Sequence, residues 1–192
     1  MPYPKLIVVG GPNGSGKTTF ILEYLKTEPL PYLSADAIAY ELDPVSPQAN
    51  AIQASRLFSS RLDEHLKNKQ SCIIESTLSG RSLQKKLEHA KSLGFYIELI
   101  YLFLDSPELC NKRIEERVQR GGHFVPPQDV ERRFYRSRQN FGNTYKLICN
   151  EWNIYYNPEN QCIFVATGNR SNLETINDPL FKQFQQIGAN HE

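Results

Sequence analysis

Cysteine is scarce in this chain, and what there is forms no pattern. Cys72, Cys110, Cys149 and Cys162 include no C-x-x-C pair and no metal-ligand spacing, which argues against both a disulfide scaffold and a zinc site. Cys72 and Cys162 fall in apolar runs and read as small buried hydrophobes, so a reduced, cytoplasmic protein is expected. Charge of one sign is not in excess either: 22 Lys and Arg stand against 21 Asp and Glu, a net +1. That balance gives no global electrostatic case for a nucleic-acid partner or an anionic membrane. Long apolar runs are missing too. Residues 6–9 break at Gly10-Gly11 and are too short for a signal-peptide core. Residues 96–104 carry Glu98 and fall far short of a membrane span. With no repeat, linker or low-complexity stretch, the 192 residues fit one domain, 1–192.

What is present is alternation. Apolar runs at 5–10, 32–35, 71–75 and 96–104 read as strands, and the first fits a strand buried on both faces. Between them, 16–26, 37–42, 48–69 and 82–93 carry helical spacing, with prolines or Gly94 as stops. A further helix starts at Asp105-Ser106-Pro107 and runs to about 120, and another spans 128–150. Residues 153–156 and 162–166 read as two strands joined at an Asn157-Pro158 turn, and 171–186 as a polar terminal helix. This order predicts an α/β fold with a mostly parallel central sheet and helices on both faces. Ligands in such sheets sit at the carboxyl ends of the strands.

The sharpest motif lies at the first such end. Gly11, Pro12, Asn13, Gly14, Ser15, Gly16, Lys17 and Thr18 complete G-x-x-x-x-G-K-[ST], followed by Thr19. Glycines let backbone N–H groups turn inward around an anion, and the next helix aims its positive end at it. Lys17 would reach the β- and γ-phosphates of a nucleoside triphosphate, ATP or GTP, and the Thr18 hydroxyl would ligate Mg²⁺. A P-loop NTPase is therefore expected.

Three carboxylates end the next strands. Asp36 could take the proton of an attacking hydroxyl, help hold Mg²⁺ through water, or cap the helix it opens; catalysis is the preferred reading. Glu75, followed by Ser76 and Thr77, could hold metal through water, orient a water or bind an acceptor. Asp105 has the look of a Walker-B carboxylate, but Ser106, Pro107 and Glu108 behind it favour a helix cap.

Between Lys112 and Arg138 stand Arg113, Arg117, Arg120, Arg132, Arg133 and Arg136, around a Gly121-Gly122-His123 loop. Two arginine-bearing helices of this kind form a candidate lid over about 112–138, able to neutralise charge on a transferring phosphoryl group. The competing reading of each arginine is a solvated helix face.

The segments 11–19, 33–39 (LSADAIA), 75–80 (ESTLSG) and 117–134 (RVQRGGHFVPPQDVERRF) together resemble the zeta-toxin family of P-loop kinases. The last segment is most similar to the zeta-toxin-like bacterial ATPases. The resemblance implies a kinase that moves the γ-phosphoryl group of ATP or GTP to a hydroxyl of UDP-N-acetylglucosamine. It implies Asp36 as base, Glu75 and Thr77 at the acceptor, and lid arginines from Arg117 or Arg120 and from Arg132 or Arg133. Arg133 is the first choice to stabilise the transferring group. An antitoxin partner is implied by the resemblance alone. Two other functions remain open: a nucleotide-dependent switch that binds a protein, and a kinase for nucleic-acid ends.

Overall fold

The computed structural model describes residues 3–122, 124–159 and 161–189. One seven-stranded sheet organises them, in the order β2-β3-β1-β4-β5-β6-β7. β1 (Lys5–Gly10), β2 (Tyr32–Leu33), β3 (Cys72–Ser76), β4 (Tyr96–Phe103) and β5 (Glu151–Tyr156) run parallel. β6 (Ile163–Gly168) and β7 (Leu173–Thr175) return antiparallel. The parallel strands are joined through α1 (Lys17–Thr27), α2 (Ala35–Leu42), α3 (Ala51–Lys67), α4 (Ser82–Ser92), α5 (Pro107–Gln119), α6 (Pro127–Asn140) and the short α7 (Lys146–Ile148). A π-helical segment, Phe141–Tyr145, joins α6 to α7, and α8 (Asp178–Ala189) closes the fold.

Central β1 shows why the layers form. Leu6, Ile7, Val8 and Val9 are all fully buried, and a strand points successive side chains to opposite faces. Leu6 and Val8 join the larger apolar cluster, with Leu62 and Leu66 of α3, Leu87 of α4, Phe141 and Phe184. Ile7 and Val9 join a smaller cluster on the other face, with Ile21 and partly buried Phe20 and Tyr24 of α1. A strand buried on both faces must be apolar at every position, which is why the run at 6–9 does not alternate. α5 and α6 pack together around their own cluster, which includes Cys110, Ile114, Val130 and Phe134. The arginine-bearing hairpin is therefore packed from within.

Three expectations are corrected. The chain over 171–186 is not one helix: the Asn169 carboxamide oxygen accepts from the N–H groups of Ser171 and Asn172, and the chain then turns into β7. Such local side-chain bonds compete with a helix. α8 begins later, where Asn177 Oδ1 accepts from Leu180 N. Asp105 does not cap α5. Ser106 does, through Leu109 N, while Asp105 accepts from Tyr156 and Gln183. Cys162 is exposed, not buried, just ahead of β6; all four thiols are free. Among the described residues, no helix is long and apolar enough to cross a membrane.

Burial fixes one pH response. It pushes the phenols of Tyr101, Tyr145 and Tyr156 up to about 12, against about 10 in an unfolded chain. A raised folded-state value means stability that is complete below pH ~10 and is lost as pH climbs toward 12. Lys17, Lys91 and Arg138, whose pKa values burial lowers, act in the opposite sense. Further phenols and thiols, among them Tyr96, Cys72 and Cys110, are raised with the three. The urea midpoint is expected to fall clearly between pH 8 and pH 11, conditions chosen on either side of that ~10 threshold. A flat profile would show that these phenols reach water in the folded state.

Candidate active site

The site is assembled at the carboxyl ends of β1, β2 and β3. From Gly10 the chain enters the phosphate-loop motif and re-emerges as α1. Gly16 is the N-cap of that helix at φ 89°, with no side chain capping the first turn. The opening N–H groups of α1 are thus left to whatever anion the loop encloses. A side chain at position 16 is excluded twice: by the left-handed φ, and because its Cβ would lie 2.3 Å from Asn157 Nδ2.

Lys17 is 6% exposed, and its ammonium donates to Pro12 O at 2.9 Å. Burial lowers its pKa; Glu75 and Asp36 act the other way. Glu75, at the end of β3, stands 3.9 Å from the Lys17 ammonium. Its other oxygen accepts from Thr18 Oγ1 at 2.9 Å and from the Tyr32 hydroxyl at 2.6 Å. A threonine hydroxyl and a carboxylate side by side are hard oxygen donors of the kind Mg²⁺ takes while keeping several waters. The residues present therefore fit that ion.

Asp36 lies in the first turn of α2, exposed on the same cleft. It is not the cap, because Ser34 Oγ accepts from Ala37 N. Its carboxylate has no hydrogen-bond partner among the described residues. Thr77 lines the cleft and shares a hydrogen bond with Ser79 Oγ at 2.8 Å.

The opposite wall is the α5–α6 hairpin. Arg117, Arg120, Arg132, Arg133 and Arg136 all line the cleft. Arg133 Nη1 reaches Asn13 Oδ1 at 3.4 Å, and both Arg132 and Arg133 pair with Asp129. Arg113 lines the cleft too, but its guanidinium donates to Gly14 O at 3.3 Å and to Pro158 O, bracing the loop. Arg138 is buried on another side of α6, its Cζ 3.5 Å from the Phe184 ring centroid. His123 lies outside the described residues.

Sequence reasoning missed Tyr32, Asn157, and the cleft-lining Arg56 of α3 and Lys86 of α4. Asn157 is 2% exposed, and its Nδ2 donates to Ser15 O at 2.8 Å. Asn157→Ala strands a buried carbonyl, at a cost of about 1–3 kcal/mol. The variant is expected to melt several degrees lower and to bind nucleotide more weakly, read by thermal unfolding with and without ATP. Unchanged melting and binding would mean that the loop holds its shape unaided.

The whole cleft measures ≈ 1220 Å³. A complete phosphate loop on the central strand of a mainly parallel sheet, facing a helical wall of arginines, defines a P-loop domain of kinase-like fold. The chain belongs to the AAA domain family, whose profile matches residues 6–144. It is 34% identical over 134 residues to an uncharacterised protein of Haemophilus influenzae, across 68% of this chain and 92% of that one. In fold it is similar to a putative kinase from Chloroflexus aurantiacus, at TM-score 0.57 and 24% identity, covering 71% of this chain and 78% of that one. It is also similar to a chain of the PezAT chromosomal toxin-antitoxin system of Streptococcus pneumoniae, at TM-score 0.63 and 18% identity, covering 98% and 85%.

Proposed function

We propose that the protein is a phosphotransferase that moves the γ-phosphoryl group of ATP or GTP to a hydroxyl of a small acceptor. The observation that carries this reading is Asp36: a carboxylate without a hydrogen-bond partner among the described residues, sharing one cleft with the phosphate loop. In a site built only to hold a nucleotide, such a group would serve at most to help hold Mg²⁺ through water.

The geometry supports a role for each residue. Loop N–H groups from Gly11, Pro-flanked Asn13, Gly14, Ser15 and Gly16, with Thr19 behind them, enclose the phosphates together with Lys17. Thr18 and Glu75 would hold Mg²⁺, which would supply neutralisation of phosphate charge. Asp36 accepts the proton of the acceptor hydroxyl. The acceptor oxygen then forms its bond to phosphorus, and the bond to the β-phosphate oxygen breaks, releasing the nucleoside diphosphate. Arg133 and Arg117 or Arg120 neutralise charge that gathers on the transferring group. Thr77 and Arg132 hold the acceptor.

The size of the cleft supports a second substrate. Drug-sized ligands fill pockets of about 300–1,000 Å³, and this cleft is larger. Its lining also includes Ser55, Arg56, Ser59 and Lys86, the last paired with Asp63, and the Arg56 cation suits an acceptor that is itself anionic. That chemistry agrees with the sugar nucleotide UDP-N-acetylglucosamine implied by the zeta-toxin resemblance. A cytoplasmic setting agrees with the free thiols. A protein partner of the antitoxin type rests on the similarity to the pneumococcal chain.

The test is incubation with γ-labelled ATP, Mg²⁺ and candidate acceptors that include UDP-N-acetylglucosamine. Label is expected on an acceptor, and none after chelation of the metal. Label released only as free phosphate, at one rate with or without acceptors, would replace the transferase with a hydrolytic switch.

A further inference from the structure

A second cavity, ≈ 580 Å³, shares no lining residue with the cleft. It opens between α6 and the π-helical segment on one side, β5 beneath, and the β6–β7 connection and α8 on the other. Its floor is aromatic. Phe141 packs edge-on against Trp152 at 6.0 Å and against Phe184 at 5.8 Å, and Phe181 stacks on Phe184 at 6.3 Å.

Into this apolar setting the fold places Arg138, 8% exposed. Its guanidinium lies over the Phe184 ring and has no hydrogen bond or ion pair among the described residues. Buried cations are ordinarily paired, because leaving water unpaired is costly. The Phe184 face offsets only part of that cost. The consequence is visible in acidity: burial pulls Arg138 down to about 10, with Tyr101 the one ionisable group acting against it. None of its nitrogens is among the sealed, partnerless polar atoms of the described residues, so its donors retain access to solvent, and Arg138 lines the cavity. Lys146 and Arg170 also line the cavity, and among the described residues no Asp or Glu does.

We propose that this cavity is a binding site for a small organic carboxylate, whose anionic head pairs with Arg138 and whose flat apolar body lies against Trp152 and Phe181. A planar guanidinium matches a carboxylate through two parallel hydrogen bonds. The aromatic floor takes the ring, and the volume suits a ligand of modest size. A bulge of the π-helical kind often marks a functional position. Here it supplies Gly142, whose added Cβ would meet nothing within 4 Å.

Trp152 is the sole tryptophan of the chain, so its fluorescence reports this cavity directly. Benzoate and cyclohexanecarboxylate are titrated into the full chain, with benzamide as the neutral counterpart. A saturable change is expected with the carboxylates, with benzamide weaker by about tenfold or more. Arg138→Met is expected to remove that preference. Gly142→Leu, which fills the open space and keeps the charge, is expected to weaken both carboxylates and to stay folded by thermal melting. Equal affinity for benzoate and benzamide, or no saturable change with either carboxylate, overturns the proposal on the wild-type protein alone. Unaltered binding in Gly142→Leu overturns it even if Arg138→Met fails to fold.

Discussion

Asp36→Asn is expected to leave nucleotide binding in place and to slow phosphoryl transfer roughly 10²- to 10⁴-fold, the usual worth of a general base. The substitution keeps shape and removes only the ability to take a proton. It breaks no hydrogen bond among the described residues, since the cap of α2 belongs to Ser34. An acid in a helix's first turn contributes about 0.3–1 kcal/mol through the helix dipole, so the fold loses little. Transfer of γ-label and the Kd for nucleotide, measured on the same preparations, separate three roles. Lost transfer with intact binding establishes the base. Joint loss of both makes Asp36 an organiser of metal or structure. Unchanged turnover would return the protein to a nucleotide switch.

Gly11→Ala is expected to cost about 3–5 kcal/mol of stability, a large share of the ~5–15 kcal/mol that holds a domain together. Two strains coincide. Gly11 sits at φ 141°, where an L side chain is strained by about 1–3 kcal/mol. Its new Cβ would also lie 2.2 Å from the backbone oxygen of Leu102. Leu102 belongs to β4 and is fully buried, so that carbonyl cannot swing aside as a side chain would. Overpacking of this kind costs a further ~1–3 kcal/mol. The urea midpoint at constant slope reads the loss. A fall of less than about 1 kcal/mol would mean that the loop has slack against β4.

Much of this arrangement is legible in the residues. The strand–loop–helix at 5–27 is announced by an apolar run, a complete glycine motif and helical spacing, because local rules all agree there. Gly94, the expected stop for α4, does take a left-handed φ of 86°. Glu75 is found by its position at the end of an apolar strand, since parallel topology aims such residues at one edge. What stays hidden depends on partners far away in the chain. The Tyr32 hydroxyl meets Glu75 across 43 positions, and Arg133 meets Asn13 across 120. No local pattern marks those pairs. Helical geometry does explain one division within the arginines: Arg138 lies five residues past Arg133, about 140° around the helix. One therefore faces the cleft and the other the aromatic cavity. The β7 and Asp105 corrections share a cause, since in both a short side-chain hydrogen bond outcompetes the pattern read from composition.

The bond from Asn157 to Ser15 has a bearing on how the chain is made. It spans 142 positions, and Arg113 ties the same loop to Pro158. As the chain emerges from a ribosome, the phosphate loop appears 142 residues ahead of the Asn157 side chain that braces it. Contacts of such long separation form late, because their closure entropy must be met first. A chain halted at residue 144, the end of the family match, would hold the entire motif and the Arg113 bond to Gly14, but not the Asn157 and Pro158 contacts. The loop's settled shape thus draws on chain synthesised 142 residues after it.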